Sequence, residues 1–520
     1  MSVDPALPEG GGAPPAVPEA PPTEPRRSPP GPPRTVTMIL RRLLRFFFHR
    51  IEVAGAENVP HDRGGVLVAW HPNGLLDPAL ILAHCPRRVV FGARHGLLRW
   101  PLLGALLRRL GTVPIYRSQD AAHGAGFPGD EEARRAANRR SLDALARAVA
   151  DGSFAALFPE GDSHDEPGLL DLRPGAAKLF LRARELTPAE APAPVLVPVG
   201  LHYDRKNLFG STTLVEFHPP IEVPPELERP AAGASGERRR VAALTRLIET
   251  VLTQVVQATE SWETHHLMHR LRKLMRAERA SRAGARPGPP TLRERVLGLA
   301  RVWQGYLVRR ESHPEETARI EARVRRYHNA LEALGLDDHE LDTEADLVSP
   351  WRRLALLGQA VVVYLFLPPL LVLGYLVNTP IALALGVAGR RLGARVKDEA
   401  TIKLLLGASV FPAAWLLLSL LVAWGQINLH DVYPQIPRAP WLAGTVIFLL
   451  CSVGGWLAVR YSRIAAETYR ALRVRLTRRR KRRFVERLAR ERAALFEAAV
   501  ALSADLDLPG CVAPDGRIVP

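Results

Sequence analysis

The run "VLVAWHPNGLLDPALIL", residues 66–82, places apolar residues on both sides of a short polar break. The same alternation continues over 51–230. Short apolar, β-rich runs ("VLVAW", "RVVFGA", "GTVPIYR", "SFAALF", "VLVPVGLHY", "TTLVEFHPPIEV") are separated by helical stretches. The clearest helix is 131–152, with acids at its start and Gly152 after its end, which suits the helix dipole and a C-cap. Alternating strands and helices predict an α/β domain with a largely buried sheet.

On either side of this domain the pattern changes. Residues 1–34 are dense in proline and nearly free of large apolar side chains, so disorder is expected there. In 35–50, Val36, Ile39, Leu40, Leu43, Leu44 and Phe47 recur at helical spacing, with Arg41, Arg42 and Arg45 on the other side. That is an amphipathic helix, suited to a membrane interface or to docking on the domain. Residues 231–350 are charged and helical, broken near "GARPGPP" at 284–290, and show no chemistry. Three uncharged runs follow, 354–388, 404–429 and 439–459. About 20 apolar residues span a bilayer as a helix, so 351–460 is expected to be a transmembrane region. The first run holds Pro368, Pro369 and Pro380, and is long enough for a two-helix hairpin or one kinked helix. Arg390, Arg391, Arg395, Lys397 and Lys403 follow it, and Arg460 and Arg463 follow the third run. Positive loops stay cytoplasmic, which favours the hairpin and a catalytic domain on the cytoplasmic side. A basic helical tail, 461–520, with "RRRKRR" at 478–483, suits anionic headgroups better than nucleic acid, since no stacking aromatics accompany it.

The net charge of +17 points to anionic partners without choosing among them. Cys85, Cys451 and Cys511 lie too far apart for a disulfide framework or a metal-ligand cluster.

The chemistry gathers in the polar break. "VLVAW" ends at His71, "PNG" turns the chain, and Asp77 opens the next helix. A carboxylate folded back on one imidazole nitrogen fixes the tautomer, and the other nitrogen then serves as a general base. Spacing alone equally allows a helix-capping Asp77 beside an unrelated histidine. Further on, "GTVPIYR" ends in Arg117, a fork for phosphate. "FPEGDSHD", 158–165, ends a strand in a Glu-Gly turn, and "VPVG", 197–200, is a buried strand end.

In this order these stretches resemble the glycerophospholipid acyltransferase family, which carries His-x4-Asp, G-x-I-P-x-x-R, F-P-E-G and V-P-V/I motifs. Five residues, not four, separate His71 from Asp77 here. With "FPEGDSHDEP" and "YRSQD", that spacing resembles the fungal-type glycerol-3-phosphate/dihydroxyacetone-phosphate acyltransferase branch. The resemblance implies a mixed sheet flanked by helices, and acyl transfer from acyl-CoA or acyl-carrier protein to a glycerol hydroxyl. By carry-over, His71 is the base and Asp77 orients it. Arg117, Glu160, Gly161 and Ser163 meet the acceptor, and Asn73, Pro159 and Pro198 support the site. The implied reaction needs no metal and no cofactor, and the implied partners are a phosphorylated glycerol-type acceptor, an acyl thioester and membrane lipids, not nucleic acid. Lysophosphatidate is the alternative acceptor. A catalytically degenerate membrane lipid-binding protein is the alternative of another class.

Overall fold

The computed structural model describes residues 34–520 except Trp100, Gly111, 117–129, Asn207, Phe209, 286–287, 343–349 and 393–395. The first unit runs α1 (Arg34–Phe47), β1 (Arg50–Ala54), β2 (Gly65–Ala69), α2 (Leu76–His84), β3 (Val89–Arg94), α3 (His95–Leu98), α4 (Pro101–Arg109), β4 (Val113–Ile115), α5 (Glu131–Ala150), β5 (Phe154–Leu157), α6 (Gly175–Leu186), β6 (Val195–Tyr203), β7 (Thr212–Phe217), α7 (Pro225–Glu228) and α8 (Gly233–Val256). Its seven strands form one sheet in the order β1-β7-β6-β2-β5-β3-β4. Strands β2 to β6 run parallel, β7 is antiparallel to β6, and β1 is parallel to β7. This is the expected mixed sheet flanked by helices.

Central strand β2 is buried along its whole length, as a strand covered on both faces must be. Its side chains alternate between two cores. Leu67 and Ala69 join Leu44 and Phe47 of α1 and Leu80 and Ile81 of α2. Val66 and Val68 join α5, α6 and the apolar stripe of α8 (Leu244, Ile248, Leu252). The α/β packing unit therefore runs past residue 230, because α8 covers the sheet. α5 begins where Asp130 accepts a hydrogen bond from Ala133 N at 2.7 Å, and Gly152 follows its end at φ 91°.

A helical unit follows: α9 (Trp262–Arg282), α10 (Leu292–Ser312) and α11 (Pro314–Leu334), joined by α16 (Arg482–Leu502) and the short strands β8 (Cys511–Val512) and β9 (Ile518–Val519). Residues 461–520 are thus no free tail, because α16 brings Leu495 and Phe496 into the core of this unit. Its Arg492, 1% exposed, bonds Glu278 at 2.9 Å and both oxygens of Asp342 at 2.5 and 2.7 Å. Glu52 of β1 accepts from the N–H groups of Leu292 and Arg293 at 3.0 Å each, so a sheet-edge carboxylate caps α10.

Between these parts lie α12 (Pro350–Val361), a π-helical turn (Val362–Phe366), α13 (Leu367–Leu392), α14 (Val396–Val432) and α15 (Pro440–Arg480). Leu406–Val432 and a stretch of α15 are long and apolar enough to cross a membrane. Leu417, Leu420, Trp424, Leu449, Val453 and Trp456 are more than half or nearly half exposed, an apolar surface that water would penalise. The first apolar run behaves differently. Along α15, Tyr364 meets Ala465, Tyr375 meets Ala458 and Asn378 meets Cys451, so rising numbers in α13 match falling numbers in α15. α14 runs along α15 in that same sense, Trp415 beside Phe448 and Ser419 beside Gly444. Yet Trp415 reaches Asn378 while Gly407 reaches Leu385, so beyond Asn378 α13 runs against α14. Because α12, the π-helical turn and α13 follow one another without a break, the first apolar run takes the form of one kinked helix and not of a two-helix hairpin, with Pro380 removing an N–H donor inside it. At the far end of α15, Arg463 donates to Gly210 O at 3.0 Å, and Arg470 pairs with Glu340 at 2.9 Å.

Removing one partner of a buried ion pair costs about 3–5 kcal/mol, since the other charge stays buried. Arg492→Met is therefore expected to lower the unfolding temperature of the purified chain by several degrees. Arg482→Met, at an exposed pair with Glu486, is expected to leave it unchanged. Differential scanning fluorimetry of both variants checks this.

Candidate active site

Because β2 to β6 are parallel, their C-terminal ends share one edge of the sheet. In open α/β sheets that edge carries the ligand crevice. His71 follows β2, Tyr116 follows β4, Phe158–Glu160 follow β5, and Tyr203 ends β6.

After β2 the chain turns through Pro72–Asn73–Gly74, with Gly74 at φ 36°. The turn brings the first turn of α2 back under the histidine. His71 Nδ1 lies 2.8 Å from Asp77 Oδ2, and that oxygen also accepts from Asn73 N at 2.7 Å. Tyr203 Oη donates to Asp77 Oδ1. Asp77 is fully buried, so all three donors act on a carboxylate shut away from water. Burial and the adjacent carboxylate hold the Tyr203 phenol well above its ordinary range, which keeps it a donor. With Nδ1–H committed to Asp77, the His71 Nε2 lone pair faces outward, and the His71 side chain is 13% exposed. Phe158 stacks on the imidazole at 4.0 Å, covering one face. The five-residue spacing thus closes the contact, with Asp77 inside the first turn of α2 and not at its cap.

Glu160 has a different place from the one expected. It does not face the acceptor: its side chain is fully buried, and both oxygens are engaged. Oε2 accepts from His71 N at 2.9 Å, while Oε1 meets His164 Nε2 at 2.5 Å and Leu170 N at 3.1 Å. His164 Nδ1 accepts from Glu166 N, so the ring proton sits on Nε2 and points at Glu160. Glu160 therefore ties the 158–165 turn to the backbone of His71. Gly161 is required here by its backbone, since its φ is 74°. Ser163 is buried in the same turn, and Pro159 O accepts from Arg173 N at 2.8 Å. Pro198 lies in β6 opposite Val68 and its carbonyl accepts from His218 N, so it serves the sheet beneath the site. Asn73 Nδ2 donates to Lys206 O, and Lys206 Nζ to Pro72 O, both at 3.1 Å, which braces the turn from the β6–β7 loop.

Arg117 lies outside the described residues. Tyr116, its neighbour, is held to α5 through Asn138, which bonds both its N–H and its carbonyl. Sequence reasoning missed Tyr203 and Lys206. The signal for Tyr203 was slight: a tyrosine closing a strand that already carried a recognised motif. Cys85 is buried, and its thiol is pushed up to about 12, which fits packing and not reactivity.

Residues 50–202 match the acyltransferase family, and residues 292–507 match the glycerol-3-phosphate acyltransferase 2 C-terminal domain. An uncharacterized acyltransferase of Schizosaccharomyces pombe is 24% identical over 268 residues, 37% of this chain and 39% of that protein. Glycerol-3-phosphate O-acyltransferase 2 of Saccharomyces cerevisiae is 43% identical over 67 residues, 13% of this chain and 9% of that protein. Glycerol-3-phosphate O-acyltransferase 1 of the same yeast is 38% identical over 79 residues, 15% and 10% respectively. The chain spans about two fifths of the first of these curated relatives and about a tenth of the other two. The crystal structure of the 1-acyl-sn-glycerophosphate (LPA) acyltransferase PlsC from Thermotoga maritima aligns at 18% identity with a TM-score of 0.28, over 42% of this chain and 79% of that one. The chain thus carries an acyltransferase domain over residues 50–202, followed by a glycerol-3-phosphate acyltransferase 2 C-terminal domain over residues 292–507.

Proposed function

We propose that this chain is a membrane-bound O-acyltransferase that moves a fatty acyl group from a thioester, acyl-CoA or acyl-carrier protein, to a hydroxyl of glycerol-3-phosphate. The observation that carries the reading is the His71–Asp77 contact at the C-terminal edge of the sheet, with Nε2 left open. The names of the two yeast relatives favour glycerol-3-phosphate over lysophosphatidate as acceptor.

The chemistry follows from that geometry. His71 Nε2 takes the proton of the acceptor hydroxyl as its oxygen attacks the thioester carbonyl. Asp77 stabilises the imidazolium that forms. The tetrahedral intermediate expels the thiolate, which leaves with the proton from Nε2. The new ester and the free thiol account for every atom. Tyr203 and Asn73 N–H hold Asp77 in line, and Glu160 holds the His71 backbone. Arg117 binds the acceptor phosphate as a guanidinium fork.

The membrane reading has its own support. α14 and α15 are the two crossing helices, and the kinked helix of the first apolar run packs against them. Both ends of the region then lie on the side of the catalytic domain, with Arg390, Arg391, Arg460 and Arg463 on that cytoplasmic face. α1 turns Leu44 and Phe47 into the core but leaves Met38, Ile39 and Phe46 about half exposed, an apolar strip for the lipid interface.

His71→Ala is expected to lower kcat by about 10²–10⁴-fold, the usual worth of a general base, at unchanged melting temperature. Tyr203→Phe is expected to lower kcat about tenfold with both KM values unchanged. Assays with labelled glycerol-3-phosphate and acyl-CoA check both, and a His71→Ala protein as active as the parent would overturn the reading. Arg117→Ala should raise KM for glycerol-3-phosphate far more than for the acyl donor; equal changes for both substrates would remove Arg117 from the phosphate site. Single cysteines introduced over 390–397 should react with membrane-impermeant maleimide only when the cytoplasmic face is open, and reaction from the other face would sink the two-crossing topology.

A further inference from the structure

The helical unit encloses a space at its centre. α9, α10, α11, α16 and the C-terminal strands surround a cavity of about 430 Å3, within the range of small-molecule sites. Most of its wall is aliphatic or aromatic, with Leu271, Met275, Val302, Ile320, Val324 and Phe496. Such walls alone make a dry void. The charges on α9 make this one different.

Arg272 lines the cavity and is 6% exposed, and its Nε is buried without a hydrogen-bond partner. Among the described residues no carboxylate pairs with it. The acids in range are already engaged: Glu294 with Arg276 at 2.7 Å, and Asp338 with Tyr327 Oη at 2.9 Å. Arg279, two helical turns along the same face, also lines the space and has no carboxylate partner among the described residues. Burial, followed by neighbouring guanidinium groups (Arg295 and Arg276 for Arg272, Arg301 for Arg279), pushes both arginines down to about 10. They still carry their charge at neutral pH. Buried charges are ordinarily paired, because an isolated one loses its hydration for nothing. An apolar chamber with uncompensated cations on one helix is shaped for a molecule with an aliphatic body and an acidic head.

We propose that this cavity binds a single-chain lipid acid, its carboxylate or phosphate on Arg272 and Arg279 and its tail along Val302, Val324 and Phe496. The site is remote in sequence from the His71 machinery and stands independently of the proposed reaction. Free fatty acid and lysophosphatidate are two sources of the same chemistry. The cap that Glu52 places on α10 gives the occupied helix a direct contact with the edge of the catalytic sheet.

Photo-crosslinking of the full chain in phosphatidylcholine nanodiscs tests this. Oleate, lysophosphatidate and monoacylglycerol, each with a diazirine in the tail, are irradiated in separate samples, and labelled peptides are mapped. One or both acids are expected to label peptides from α9, α10 and α16, and unlabelled oleate to compete. Oleate alone would name a free fatty acid, lysophosphatidate alone a phosphate head. Arg272→Met should cut this labelling at least tenfold, and His71→Ala should leave it unchanged, which separates the site from turnover. Should Arg272→Met fail to fold, Val302→Trp fills the tail end and should abolish the labelling by itself. The proposal is overturned if both acids label only residues 50–230 or the membrane helices. It is equally overturned if monoacylglycerol labels the cavity as well as the acids do, or if Val302→Trp leaves labelling intact.

Discussion

One buried carboxylate organises the catalytic edge. Asp77 has no exposure to water and would be costly to keep charged without replacement donors. It has three, from different parts of the chain: the imidazole of His71, the backbone N–H of Asn73 and the phenol of Tyr203. The tight turn, the register of β6 and the start of α2 are therefore all answerable to one side chain. Glu160 repeats the device on the other side of His71, joining the β5 turn to its backbone. Two inward-facing carboxylates thus fix a histidine whose own outer nitrogen remains open, which is the preorganisation a proton acceptor needs.

How far this was legible varied with the physics involved. The α/β pattern and α5 came through because both rest on local periodicity and caps, and α5 appears within two residues of its expected end. The His71–Asp77 contact was foreseeable as chemistry but not as geometry, since its closure depends on Gly74 and on donors far away in sequence. Glu160 was misassigned because a motif names a residue without saying which way it faces. Tyr203 was invisible for the same reason in reverse: its role exists only through a partner 126 positions earlier. The assignment of α8 and α16 to separate charged regions failed because their apolar stripes are narrow and surrounded by arginine. Burial of Leu244, Ile248 and Leu495 shows where those stripes go.

The buried arginines do opposite things under one composition. Arg492 is buried and fully paired, a structural bolt through the helical unit. Arg272 is buried and unpaired, which is the basis for assigning a ligand to that unit. Net charge, counted over the chain, cannot tell these apart.

On the proposed reading, the bond from Arg463 to Gly210 has a consequence for where the ester would form. Arg463 stands only three residues beyond Arg460, the first charge after the apolar stretch of α15, a rise of about 5 Å. The loop it grips also carries Lys206, whose ammonium rests on Pro72 beside the base. With α15 crossing the bilayer as proposed, the His71 edge of the sheet would be moored at the surface of the hydrocarbon. Drawing a sixteen-carbon tail fully into water costs about 12 kcal/mol at roughly 0.8 kcal/mol per methylene. A reaction centre moored so shallowly would let the tail stay dissolved in the bilayer while only its carbonyl surfaces, and turnover would then escape the desorption step altogether.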